Sequence, residues 1–410
     1  MKILFLCHRL PYPPKRGGKI RPFNMIRHLA RSHEVTVATL ARSAAELAEG
    51  RDLASHCHEV HVGRISTAAG WGRFALHAAS PFPSTFGYFH SPTLARTVRR
   101  LLATRDFDAI LVHCSSMGPY VADHRGCRKI MDFGDADSEK WLEYAATAPF
   151  PASAAFRLEG WKVRRYERWL GSTFDACSVN APREREILAS YVTTPIHVIP
   201  NGVDLDYFRP GRAAGQAYAP RRLVFTGNMS YKPNVEAVQH LVAEILPRVR
   251  ATFPDVELHI VGMDPTPAVR RLADGERVVV TGRVDDVRPF LDGAAVSVAP
   301  LRVARGLQNK VLEAMAMRVP VVASPAAFNG ISAVADRDLV VADAPDRFAA
   351  AVVQLLGDPA RREEVAASGL ACVKRNHDWG TLLARLEDLV TDSAGTRPGA
   401  PVDRAVRHGT

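Results

Sequence analysis

The 410-residue sequence is poor in several features, and each shortage removes a class of protein. No apolar run approaches the roughly 20 residues needed to cross a bilayer. The opening Ile3-Leu4-Phe5-Leu6-Cys7 is too short for a signal-peptide core and runs into Pro11, Pro13 and Pro14, so it reads as a first buried strand. Cysteines number only six, at 7, 57, 114, 127, 177 and 372, with no C-x-x-C and no spacing of metal ligands. That pattern predicts reduced, buried thiols in a cytoplasmic protein. G-x-G-x-x-G is missing, so there is no dinucleotide fingerprint. Acidic residues are scarce at the front, where residues 1–100 hold 5 Asp/Glu against 15 Lys/Arg, an excess equal to the net charge of +10 of the whole chain. A basic front points to an anionic partner. No nucleic-acid recognition motif accompanies it, a bilayer surface or lipid phosphate fits as well, and a merely solvated face is the plain alternative.

What is present is alternation. Apolar strand-like runs alternate with amphipathic stretches up to about residue 197, the punctuation Pro200-Asn201-Gly202 follows, and a second series runs on from Arg222. This predicts an α/β protein of two Rossmann-like, doubly wound domains facing a cleft, with ligands at the carboxyl edges of the sheets. The expected division is 1–197 for an acceptor-side domain and 198–375 for a donor domain. A helix at 376–392 is expected to return to the first domain, and the Gly-, Pro- and Arg-rich residues 393–410 are expected to be a disordered tail.

The richest stretch is Arg305 to Ala323. A glycine beside a strand-like run leads into about ten strong helix formers and then into a second short apolar strand. In a parallel sheet the N-terminus of that helix lies at the carboxyl edge, where its free N–H groups and dipole attract an anion. Lys310 falls on the first turn and Glu313 one step beyond. The pair suits a nucleoside diphosphate, with cation to phosphate and carboxylate to ribose; the plain alternative is a solvated i, i+3 pair. Near the front, Lys15-Arg16-Gly17-Gly18-Lys19-Ile20-Arg21 surrounds two glycines with cations, as a ligand loop or an ordinary flexible one.

Four stretches together carry a resemblance. Ile199 to Phe208, Gly227 to Asn234, Gly306 to Ala316 and the pair Gly17-Gly18 resemble, in this order, signatures of glycosyltransferase family 4, retaining enzymes of the GT-B fold. Met131 to Trp141 further resembles the subgroup tied to exopolysaccharide synthesis in bacteria with PEP-CTERM/exosortase sorting. The resemblance implies transfer of a sugar from a nucleoside-diphosphate sugar to a glycan or polyprenyl-linked acceptor. Lys232 and Lys310 would hold the donor diphosphate, Glu313 the ribose, and Arg283 and Val284 the border of the base. Gly306, Leu307 and Gln308 would complete the donor turn. Gly17 and Gly18 would lie against diphosphate and acceptor, and His113, closing its strand, would face the donor sugar.

The chain departs from the family pattern at two places. Arg305 stands where a first glutamate is common, and Asn228 where an arginine often follows the loop glycine. Asp132, Asp135 and Asp137 are expected to line the acceptor side or cap the following helix, with Asp135 the candidate base for the acceptor hydroxyl. Asp135-Ala136-Asp137 mimics a D-x-D metal motif, but the phosphate features lie in the other domain. No metal and no cofactor are therefore expected, since two lysines and a helix N-terminus meet the departing charge. The helical stretch Phe156 to Leu170, with Leu158, Trp161, Arg165 and Trp169 at helical spacing, is expected to lie on its own domain. The aromatic region Trp71 to Phe89 is the better candidate for an anionic membrane or lipid acceptor, making the protein peripheral on the inner membrane face. A nucleotide-sugar epimerase on the same fold, and a non-catalytic basic protein binding nucleic acid or membrane, remain as alternatives.

Overall fold

The computed structural model describes residues 1–14, 17–211, 221–304 and 306–392. The chain forms two compact units: Met1–Ile199 together with the chain from Leu383 onward, and Pro200–Leu382. The expectation of a disordered 393–410 lies outside the described residues, as do Lys15, Arg16 and Arg305.

The first unit is built on seven parallel strands: β1 (Lys2–Cys7), β2 (Glu34–Ala41), β3 (Glu59–Arg64), β4 (Ala109–His113), β5 (Arg128–Gly134), β6 (Ala176–Val179) and β7 (Ile196–Val198), in the order β3-β2-β1-β4-β5-β6-β7. Residues of β4 and β5 are buried throughout, which is why these strands read as unbroken apolar runs rather than alternating ones. The order reverses direction between β1 and β4, the position at which doubly wound sheets bind ligands.

The first helix, Gly17–Leu29, contains Pro22. Proline removes one i to i−4 bond, here to the Gly18 carbonyl, and exposed Gly18 leaves that carbonyl to water. The predicted glycine loop is therefore the first turn of a helix. Within the helix Ala152–Thr173 the buried face carries Glu159, Val163, Tyr166, Glu167 and Leu170. Of the stripe expected to pack on its own domain, Trp169 packs against the core of the first unit, whereas Leu158 and Trp161 stay exposed.

The second unit repeats the plan with β8 (Arg222–Thr226), β9 (Glu257–Val261), β10 (Val278–Gly282), β11 (Val296–Ala299), β12 (Val321–Ala323) and β13 (Val340–Val341), ordered β10-β9-β8-β11-β12-β13. Its two ends meet: the Val203 N–H donates to the His377 carbonyl at 2.8 Å, and a Cβ on Gly202 would stand 2.7 Å from that same oxygen. The helix Trp379–Thr391 starts in the second unit and continues past Leu382 into the first. In the first unit Glu387 pairs with His28 at 2.8 Å and His33 at 2.9 Å, and Arg128 Nε donates to the Leu389 carbonyl at 2.6 Å. Among the described residues no helix is long and apolar enough to cross a membrane.

Candidate functional site

In the second unit the loops after β8 and β11, neighbours at the reversal of strand order, come together on one lysine. Gly306 adopts φ 59°, a left-handed turn that favours glycine. It leads through buried Leu307 and Gln308, whose Nε2 bonds back to the Gly306 carbonyl at 3.2 Å, into the helix Asn309–Ala316. Lys310 lies on its first turn. Its Nζ donates to Asn234 Oδ1 at 2.6 Å and sits 4.1 Å from the centre of the Phe225 ring. Asn234 in turn donates from Nδ2 to the Asn228 carbonyl at 2.9 Å, tying the first loop to the same lysine. Two glycines make room. A Cβ on Gly227 would lie 2.8 Å from Asn234 Nδ2, and one on Gly262 would fall 1.7 Å from the Gly227 carbonyl oxygen, which no rotamer relieves.

Electrostatics mark this lysine out. Burial lowers its pKa to about 7, opposed by Glu313. Burial likewise raises Glu313 to about 7, opposed by Lys310. Each member of the pair is thus poorly solvated as an ion and responsive to an arriving charge. Lys232 differs: it opens the helix Lys232–His240 with its side chain 86% exposed, 3.7 Å from Glu236. Arg283 and Val284 follow β10, two strands from β8; Arg283 is exposed and Val284 packs against the core of its unit.

In the first unit the register of the strands builds a polar row. Thr39, Cys7, His113, Asp132 and Ser178 are partners in turn across β2, β1, β4, β5 and β6. His113 Nδ1 lies 2.7 Å from Asp132 Oδ2. Arg21 grips the same carboxylate with Nε at 3.0 Å and Nη2 at 2.6 Å, and Ser178 Oγ donates to it at 2.7 Å. Burial alone would raise the Asp132 carboxyl, yet the charge and hydrogen bonds of Arg21, joined by His113, hold it well below the usual carboxylate range. An ionised Asp132 keeps the proton on Nδ1 and leaves the Nε2 lone pair of His113 for other partners.

The three carboxylates separate. None caps the helix Asp137–Thr147, whose N-cap is Ala136 without a side-chain hydrogen bond, and Asp132 is buried inside the sheet. Asp135 is exposed and accepts from Asn180 Nδ2 at 2.7 Å. Asp137 is half-buried, accepts from the Ser115 hydroxyl, and is raised by burial. Gly18 is exposed with no atom within 4 Å of its Cβ position, so its fold does not require glycine. Arg21, Asn234 and His8 were not singled out in the sequence. Arg21 was quoted only as one of four cations, and its reach to Asp132, 111 residues away, has no local signal. The motif Gly227–Asn234 does contain Asn234.

The family model described as Glycosyltransferase Family 4 matches residues 16–207, and the one described as Glycosyl transferases group 1 matches residues 220–358. The phosphatidyl-myo-inositol mannosyltransferase of Mycobacterium tuberculosis is 33% identical over 224 residues, 50% of this chain and 56% of that protein. The chain thus spans little more than half of that relative's length. A GDP-mannose-dependent alpha-(1-6)-phosphatidylinositol monomannoside mannosyltransferase of Mycolicibacterium smegmatis is 25% identical over 413 residues, 93% of this chain and 96% of that one. Among solved structures, sucrose-phosphate synthase from Thermosynechococcus elongatus has a TM-score of 0.67 at 17% identity, covering 95% of this chain and 98% of its own. HepE of Anabaena with UDP has a TM-score of 0.66 at 14% identity, covering 95% and 100%. The chain thus carries a stretch matching glycosyltransferase family 4 followed by one matching the group 1 glycosyl transferases, on two doubly wound sheets that share the GT-B fold of these structures.

Proposed function

We propose that the second unit binds the diphosphate of a nucleotide sugar at Lys310, and that the protein transfers that sugar, with retention of configuration, to a lipid-linked or glycan acceptor. The observation that carries this reading is the seat of Lys310, a desolvated cation on the first turn of a helix behind a left-handed glycine, in reach of the loop after β8. As the nucleoside diphosphate departs, negative charge grows on its bridging oxygen. Lys310 and the free N–H groups of its helix stabilise that charge more than they stabilise the ground state. Exposed Lys232 supplies a second, mobile cation, and Glu313 accepts from ribose hydroxyls. A charge-assisted bond of this kind contributes about 1.5–3 kcal/mol, so removing Lys310 should cost one to two decades in rate.

In this reading His113, held by Asp132, meets a substrate hydroxyl in the first unit, and exposed Asp135 takes the acceptor proton. GDP-mannose is the first donor to try and a phosphoinositide the first acceptor, because the mannosyltransferase relatives carry those names. A role in exopolysaccharide assembly remains the reading of the Met131 to Trp141 stretch. Trp71, Leu76, Phe150 and Trp161, exposed at 58%, 73%, 82% and 54%, with the basic first hundred residues, support work at an anionic membrane face.

The test is a thermal-shift series with GDP, UDP, ADP and inorganic pyrophosphate on the wild type and on Lys310→Ala. A nucleotide at a hundred times its Kd stabilises the native state by about 2.7 kcal/mol. One nucleoside diphosphate should act on the wild type and lose its effect on the variant; no effect from any of them defeats the reading.

A further inference from the structure

We propose that His8, His113 and Cys114 form a site for one soft divalent cation, zinc in the first instance, in the first unit. The sequence shows no ligand spacing there, since His8 lies 105 positions from His113. The fold supplies it: Cys7 and His113 are register partners on β1 and β4, so the residues just past them meet where the strand order reverses. One ligand atom from each of His8, His113 and Cys114 lies within 4.8 Å of the other two. A tetrahedral zinc with bonds of about 2.0–2.3 Å needs ligand atoms about 3.3–3.7 Å apart, so the three groups would have to draw together on binding.

Three further observations support a metal. His8 Nδ1 is buried with no hydrogen-bond partner among the described residues. His113 has the outer arrangement of a metal-binding histidine: Nδ1 on the carboxylate of Asp132, itself fixed by Arg21 and Ser178, with Nε2 turned to the other side. Cys114 has φ 75°, a left-handed conformation that costs a residue with a Cβ and that clusters at functional sites. Its neighbours hold it there, since its N–H donates to the Asp132 carbonyl at 2.9 Å and its carbonyl accepts from Met117 at 3.0 Å.

Two imidazoles and one thiolate suit zinc and its congeners rather than magnesium or calcium. On binding, the Cys114 thiol loses its proton to solvent as the sulfur–metal bond forms. Three protein ligands leave a fourth position open for water. The site stands on the geometry of the first unit and does not depend on the donor reading.

The experiment uses the full chain, stripped with a chelator and titrated with Co²⁺ and then Zn²⁺. One equivalent of cobalt should bind with visible tetrahedral d–d bands and a near-ultraviolet sulfur-to-cobalt charge-transfer band, and zinc should displace it. Cys114→Ser should abolish the charge-transfer band. His8→Ala should weaken binding at least about tenfold, the loss that even an outer partner of a metal-bound histidine produces. Cys127→Ser should change neither. A wild type that shows no charge-transfer band with cobalt overturns the site whatever the variants do, and so does one whose band survives Cys114→Ser. Failure here leaves the nucleotide series untouched.

Discussion

At the scale of single residues, Lys310 is the group whose state depends most on what surrounds it. With its pKa near 7 in the free protein, it is largely neutral by pH 8, and a bound diphosphate returns its proton. Binding above neutrality therefore takes up one proton, and affinity for a nucleoside diphosphate should fall by about tenfold per pH unit between roughly pH 7.5 and 9. Calorimetry over that range checks it, with Lys310→Met expected to bind weakly and without the slope. The sign for stability is separate. The unfolded chain holds the lysine proton up to its ordinary 10.5 whereas the folded chain releases it near 7, so this group's contribution to stability rises with pH across that window. The pair at Lys310 and Glu313 was legible in the sequence because both residues sit on one turn of one helix. Asn234, which fixes the lysine, lies 76 residues away, and Arg21 lies 111 residues from Asp132; parallel strands joined by long crossovers erase such pairings from any local window.

At the scale of elements, the sheets were readable and their coverings less so. Fully buried parallel strands leave contiguous apolar runs, but the short helices Thr67–Leu76 and Ser84–Phe89 merge in the sequence into one aromatic stretch. Their separation depends on a distant carboxylate. Glu159, buried in the helix Ala152–Thr173, accepts from the N–H groups of Ser84 at 3.1 Å and Thr85 at 2.8 Å, and from the Thr85 hydroxyl at 2.7 Å. No residue of Ser84–Phe89 caps its own start. Glu159→Ala strips buried donors of their acceptor, at about 1–3 kcal/mol each, and should lower the urea midpoint with little change in slope. Glu159→Gln, which keeps one carbonyl oxygen, should lose less. Equal losses in the two variants would mean that charge rather than acceptor count holds this helix.

At the scale of the whole molecule, the first unit is closed by residues remote from the rest of it in the chain. Leu383, Leu386 and Val390 are buried, and Glu387 and Leu389 bond to His28, His33 and Arg128. Ending the chain after Leu382 removes three buried aliphatic side chains worth about 1.5–3 kcal/mol each. Calorimetry should then show a lowered transition for the first unit, while the transition that shifts with nucleoside diphosphate stays in place. A fall in both would mean that the two units unfold as one.

The same arrangement sets an order of events during synthesis. The second unit joins its own two ends through Val203 and His377, so it can be finished as soon as its last residue leaves the ribosome. The first seven strands emerge before it, yet their closing segment from Leu383 emerges after it. At about 5–20 residues per second, the nascent first unit waits on the order of ten to forty seconds with an uncovered apolar face, and during that interval it is the part of the newborn chain most in need of a chaperone.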